Sequence, residues 1–314
     1  MRILVLGAGG TGGYFGGRLA QSGADVTFLV RPARAAQLQR DGLRIRSPLG
    51  DADLPVAHVV ANDLPALSQA KPFDLVVLSC KAYDLDSSIN AIASAVGENT
   101  TVMPILNGLR HYDALDARFG RARVLGGLCF ISATKGAEGE IVHLGKPASI
   151  TFGERDGSEI SPRVAAFAAL CKQAGLDHKA SADIAQDQWI KFTFLATLAA
   201  GTCLMRASVG QITSSEGGVD FLHALHAETL GVAQAQGQPI PAKARDIARD
   251  SFADAASPVK ASMLRDLEAG QRVEAAHIVG DMVHRAATAG LPAPLLGAAW
   301  VHLQVYQARR DSPA

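Results

Sequence analysis

The chain's 314 residues exceed what one small core organises, and at roughly 150 residues per domain they imply two domains. With 48% hydrophobic and 19% charged residues, there is enough apolar surface to offset the entropy of ordering, which excludes a disordered chain. Thirty Lys and Arg balance thirty Asp and Glu, so no global attraction to nucleic acid or to an anionic membrane surface is expected.

The first half alternates short apolar runs, at 3–6, 26–30, 75–79, 102–106 and 124–131, with amphipathic stretches at 11–22, 33–40, 85–96 and 110–119. Continuous apolar strands of that length suit a parallel sheet covered on both faces, and the strand–helix–strand rhythm predicts a doubly wound α/β domain. Two further strands are expected at 140–144 and 148–152, meeting as a hairpin at Gly145 to Pro147. From about Asp183 the strand-like runs stop, and Ala, Leu, Gln and charged residues recur at three- and four-residue spacing. Helices are predicted at 184–205, 217–236, 242–252, 273–289 and 294–309, with breakers at 237–241 and 290–294. The change of period sets an expected hinge at 176–182 and two domains, 1–178 and 179–314.

The longest weakly polar run, 192–205, is 14 residues closed by Lys191 and Arg206, whereas a bilayer needs about 20, so it reads as a buried helix. The N-terminus carries one basic residue and then an apolar stretch ending in glycines, a strand entering a turn rather than a signal peptide. Cys80, Cys129, Cys171 and Cys203 are scattered, with no C-x-x-C pair and no Cys/His cluster. They read as reduced thiols, and the expected location is the cytoplasm. His277 and His284 are seven residues apart with no third ligand nearby in sequence, and they read as non-metal residues.

The first strand runs into Gly7-Ala8-Gly9-Gly10-Thr11-Gly12, a G-x-G-x-x-G match. The first glycine permits the turn, the second lets backbone approach a pyrophosphate, and the third lets the helix pack closely; the helix N-terminus faces the phosphate charge. Because the motif follows a strand and opens a helix, the residues point to a dinucleotide. An acidic residue closing the second strand would bind the ribose hydroxyls of NAD. This chain has Arg31 there, with Arg34 one turn further on, and a guanidinium pairs with a 2′-phosphate. NADP(H) is the expected cofactor.

Beyond the glycine loop, the chain resembles the ketopantoate reductase (2-dehydropantoate 2-reductase) family over nearly its whole length. The resemblance rests on Cys80-Lys81-Ala82, Asn107-Gly108, Trp189-Ile190-Lys191, Ser262-Met263-Leu264-Arg265-Asp266 and Gly270-x-x-x-Glu274. It implies an N-terminal Rossmann-type dinucleotide-binding domain followed by an all-α C-terminal domain for substrate and dimerisation, with a small 2-oxo acid held in the cleft between them. Reducing such an acid needs a hydride donor, an acid for the developing alkoxide, and polar groups for the carboxylate. By resemblance, Lys191 is the general acid and Glu274 its catalytic companion on the substrate hydroxyl. Ser262, Asn107 and Lys81 are substrate-binding, and Lys81, Asn107 and Glu274 join Gly7 to Gly12 and Arg31 at the cofactor. Taken singly, each has an ordinary alternative: Lys191 as a solvated lysine at a helix, Asn107-Gly108 as a turn.

The chain departs from the family pattern where asparagines commonly stand four and eight residues after the lysine; here those positions are Leu195 and Ala199. The expected pocket is therefore more apolar, which opens the reading of a different 2-oxo acid. Two further alternatives are a 3-hydroxyacid dehydrogenase, against which Leu195 argues, and a non-catalytic NADPH-binding protein, against which Lys191 and Glu274 argue.

Overall fold

A computed structural model describes residues 1–157 and 159–312 and divides into two compact units. One comprises Met1–Leu106 and His111–Ile184; the other takes Asn107–Arg110 together with the chain from Ala185 on. The first unit runs β1 (Arg2–Leu6), α1 (Gly10–Gln21), β2 (Asp25–Leu29), α2 (Pro32–Asp41), β3 (Leu43–Arg46), β4 (Ala52–Leu54) and β5 (Ala57–Val59). It continues through α3 (Leu64–Ala70), β6 (Leu75–Leu78), α4 (Leu85–Ile92), β7 (Thr101–Pro104), α5 (His111–Phe119), β8 (Gly126–Lys135), β9 (Ile141–Gly153), α6 (Pro162–Gln173) and β10 (Asp177–Ala180).

Five strands form an all-parallel sheet in the order β5-β2-β1-β6-β7. Its apolar runs are buried on both faces: every residue of β6 and β7 is buried, and Ile3, Val5, Phe28, Val77 and Met103 belong to one core. A parallel sheet so covered binds ligands beyond the carboxyl ends of its strands, where the order reverses, here on either side of β1. This is the expected doubly wound, Rossmann-type domain.

The second sheet, β10-β9-β3-β4 with β8 on β9, corrects two expectations. Gly145 to Pro147 is not a hairpin turn, because β9 is a single strand of 13 residues paired antiparallel with β8. Pairing passes from Ile131–Ala148 to Ala133–His143, so residues 144–147 bulge opposite residue 132. Pro147 cannot donate to a ladder, and a bulge tolerates it. The His143 ring spans the bulge, its Nε2–H donating to the Pro147 carbonyl at 3.1 Å while Nδ1 accepts from the Ser47 hydroxyl at 2.9 Å. The true turn lies at Gly136 to Glu140, closed by Gly136 N–H donating to the Glu140 carbonyl at 2.8 Å. The stretch 176–182 is not a hinge either. It contains β10, paired in parallel with β9, and the expected boundary at 178/179 falls inside that strand.

The second unit is helical: α7 (Ile184–Met205), α8 (Val209–Thr213), α9 (Gly218–Ala235), α10 (Ala242–Ser251), α11 (Ser262–Glu268), α12 (Ala275–Thr288) and α13 (Pro294–Asp311). They enclose a core that includes Phe192, Phe252, Leu264, Ile278 and Leu303. The helix expected at 184–205 holds residue for residue, and its run from Phe192 is largely buried, ending at an exposed Met205. Among the described residues, no helix is long and apolar enough to cross a membrane.

Candidate active site

In the first unit, β1 delivers the chain into Gly7-Ala8-Gly9 at the N-terminus of α1. A Cβ on Gly12 would stand 2.5 Å from the Gly7 carbonyl and closer still to Ser79 Oγ, so only glycine lets α1 approach β1 and the end of β6 this closely. No side chain caps α1, which leaves its first amides aimed at the loop. Beside them opens a cavity of about 620 Å³ lined by Gly7, Ala8 and Gly9, by Arg31 and Arg34, and by Ser79 and Cys80. Leu29, Val30 and Ala91 supply apolar wall, and Lys135 adds a cation. Uncapped helix amides, a glycine cradle, cations and an apolar wall fit the pyrophosphate and adenosine of a dinucleotide. Thr11 lies in the first turn of α1. Lys81 follows Cys80 as an extended residue before the 3-10 turn Ala82–Asp84.

The two arginines are held differently. Arg31 precedes α2 with its side chain 81% exposed, and its guanidinium donates to Asp84 Oδ2 at 3.1 Å. Arg34 is tied down: it donates to the Ala8 carbonyl at 3.0 Å, the Gly139 carbonyl at 2.7 Å and Gln37 Oε1 at 2.6 Å. Arg34 therefore braces the glycine loop, a role its position in sequence does not reveal. Asp84 also lines the cavity, and no motif in the sequence points to it.

The second unit gathers another part of the expected set. Asn107 follows β7 by sequence yet groups with the helices, and Lys191 Nζ on α7 donates to Asn107 Oδ1 at 2.9 Å. Lys191 is only 8% exposed, and this partner is a neutral amide. Gly108, at φ +77°, rests on His277: a Cβ there would lie 2.7 Å from the His277 carbonyl oxygen and 2.9 Å from Cδ2. His277 is in the first turn of α12, which Glu274 precedes, itself buried. Burial, chiefly, lowers the His277 pKa; Arg110 adds to this, and Glu274 and Asp281 oppose it. The turn Asn107-Gly108 thus joins Lys191 to the α12 terminus where Glu274 stands. Ser262 opens α11 and is half-buried. Sequence spacing raises His277 only as a metal ligand; its seat under Gly108 depends on residues too far apart in the chain for any spacing rule to register. His284 is exposed and packs edge-on against Trp300. No cluster of three or more His, Cys, Asp or Glu able to hold a metal occurs among the described residues.

The expected apolar substitutions divide. Leu195 is half-buried beside the core, whereas Ala199 is fully buried within it and presents no surface. Only Leu195 can face a ligand in this conformation, because Ala199 is spent on helix packing.

Residues 3–157 match the sequence profile described as Ketopantoate reductase PanE/ApbA, and residues 183–307 match that of its C-terminal region. A protein of Bacillus subtilis (strain 168) named uncharacterized oxidoreductase YkpB is 35% identical over 310 residues, covering 99% of this chain and 100% of its own. A 2-dehydropantoate 2-reductase of Mesorhizobium japonicum is 28% identical over 324 residues, 95% of each chain. The crystal structure of 2-dehydropantoate 2-reductase from Geobacter metallireducens GS-15 aligns with a TM-score of 0.86 at 29% identity, covering 97% of this chain and 99% of that one. A D-mandelate dehydrogenase solved with NADH and anilino(oxo)acetate gives a TM-score of 0.85 at 18% identity, covering 99% of this chain and 100% of its own, a likeness of fold alone.

Proposed function

Because the chain belongs to the ketopantoate reductase family, NAD(P)-dependent oxidoreductases of the 2-dehydropantoate 2-reductase type, we propose that it is an NADPH-dependent reductase of a small 2-oxo acid. Ketopantoate, reduced to pantoate, is the default substrate. The bound cofactor supplies a hydride to the carbonyl carbon. Lys191 gives its proton to the carbonyl oxygen as negative charge develops there, while Asn107 Oδ1 holds the ammonium in one orientation. The Nζ, on a residue only 8% exposed, is thereby fixed as a donor by the Asn107 amide oxygen. Ser262 takes the substrate carboxylate and Glu274 the hydroxyl. The Lys191–Asn107 pair carries this reading. The experiment is a panel of 2-oxo acids assayed for NADPH consumption; a panel without any turnover leaves the protein a cofactor binder and refutes the enzyme.

NADP(H) is favoured over NAD(H) by Arg31, whose exposed guanidinium can exchange the Asp84 carboxylate for a 2′-phosphate. Asp84 supports the opposite preference, because a carboxylate lining the same cavity accepts from ribose hydroxyls. Dissociation constants for the two cofactors decide between them. A second reading of the substrate rests on Leu195: where the family commonly has an amide, an isobutyl group favours a more apolar 2-oxo acid. Leu195→Asn then shifts catalytic efficiency toward ketopantoate relative to its analogue lacking the hydroxyl by about tenfold, the worth of one lost polar partner. An unchanged ratio refutes that reading. A cytoplasmic homodimer joined through the helical unit completes the proposal; Val301 and Val305, exposed one turn apart on α13, are its contact, and a monomer in sedimentation refutes it.

A further inference from the structure

Away from the residues assigned above, α9 and α10 line an open cleft of about 350 Å³. His226 lines it from α9 and is 4% exposed, yet neither of its ring nitrogens has a hydrogen-bond partner among the described residues. Its ring is fixed edge-to-face against Phe252, with centroids 5.4 Å apart. Neither ring nitrogen is among the sealed polar atoms left without a partner, so the unbonded imidazole is open to the space before it. Burial, chiefly, with a contribution from His223, lowers the His226 pKa to about 4, so near neutrality the ring is uncharged and offers one donor and one acceptor.

The rest of the cleft supplies both signs of charge. Arg245 and Asp246 line it from α10, both exposed, and neither has an ion-pair partner among the described residues. Arg249, the other cation there, already faces Asp250 at 4.0 Å. One open cation and one open anion on adjacent positions match a ligand that carries a carboxylate and an ammonium together. Ala227 and Leu230 provide apolar wall for a short side chain. The two helices are tied over it, His223 Nε2–H donating to the Arg249 carbonyl at 3.0 Å. The volume lies at the small-ligand end of ordinary binding sites.

We propose that this cleft is a second ligand site, distinct from the oxidoreductase site, which takes a small free amino acid. Arg245 takes the carboxylate, Asp246 takes the ammonium, and His226 completes the hydrogen bonds of either group.

The test titrates L-alanine into the full-length protein saturated with NADPH, following the imidazole resonances of His223 and His226. Propanoate, which lacks the ammonium, and ethylamine, which lacks the carboxylate, are the matched controls. L-Alanine should shift both histidines saturably at millimolar concentration, with each control at least about tenfold weaker. Arg245→Gln and Asp246→Asn, both at exposed positions, should each weaken L-alanine about tenfold while NADPH binding is kept. The proposal is overturned by an absence of saturable shift, by propanoate or ethylamine binding as well as L-alanine, or by unchanged affinity in both variants.

Discussion

Gly108→Ala is the sharpest probe of how the lysine is held. At φ +77° an L-residue pays roughly 1–2 kcal/mol for left-handed backbone. The new methyl then stands 2.7 Å from the His277 carbonyl oxygen, about 0.6 Å inside the ordinary C···O approach. Main chain on both sides is fixed, by the helix at His277 and by the turn at Gly108, so the turn must shift by a comparable distance. A shift of that size stretches the 2.9 Å bond from Lys191 Nζ to Asn107 Oδ1 to about 3.5 Å, beyond useful hydrogen-bonding distance. A lost bond to a charged group is worth about 1.5–3 kcal/mol, so the turnover number should fall roughly ten- to a hundredfold. NADPH affinity should fall much less than turnover, because the glycine cradle and Arg31 belong to the other unit and Asn107 is only one of the residues expected at the cofactor. Steady-state oxidation of NADPH with the best 2-oxo acid, beside a fluorescence titration of the cofactor, measures both. Turnover within a factor of about two of native would refute the reasoning, as would a parallel loss of cofactor affinity.

Lys191→Ala should lower the turnover number by about two to four decades, the span of a lost general acid, with the NADPH dissociation constant unmoved. NADPH should bind at least about tenfold tighter than NADH; Arg31→Asp should reverse that order, and equal constants in the native protein would remove the assignment. His226, whose pKa burial lowers to about 4 from an ordinary 6.5, stays neutral in the folded chain while the unfolded chain takes up a proton. Stability from this group is thus present above the unfolded value and lost as pH falls toward 4. Between pH 7 and pH 5 the native protein should lose about 2 kcal/mol more than His226→Gln in urea unfolding, and parallel losses would show that the ring is not depressed.

Periodic segments with strong burial are legible in the amino-acid sequence alone. The helix Ile184–Met205 and the strands Leu75–Leu78 and Thr101–Pro104 are apolar over lengths that only one element type accommodates. Asp177–Ala180 is not legible, because Asp-His-Lys-Ala carries no apolar run; its backbone partner, not its side chains, makes it a strand. Gly145 to Pro147 misleads because a breaker pair marks a bulge as readily as a turn. Within the site, the glycine loop declares itself through local geometry. Asn107 and Lys191 lie 84 residues apart, so only resemblance could pair them. The bracing by Arg34 and the seat of Gly108 on His277 are long-range packing facts that no local pattern encodes. Ala199 shows the converse: family position suggests a ligand-facing residue, and helix packing removes it from view.

Asn107–Arg110 groups with the helices although the chain has not yet finished the first unit. The two halves of this enzyme therefore cannot be inherited as separable cassettes. A gene cut after codon 184 would keep the amide and discard its lysine, and the downstream piece would carry the lysine without the amide. Recombination between relatives that swaps helical halves must match a four-residue insert encoded far upstream. Cofactor preference can drift within the first half alone, but exchange of the acid's surroundings requires two distant stretches of coding sequence to change together.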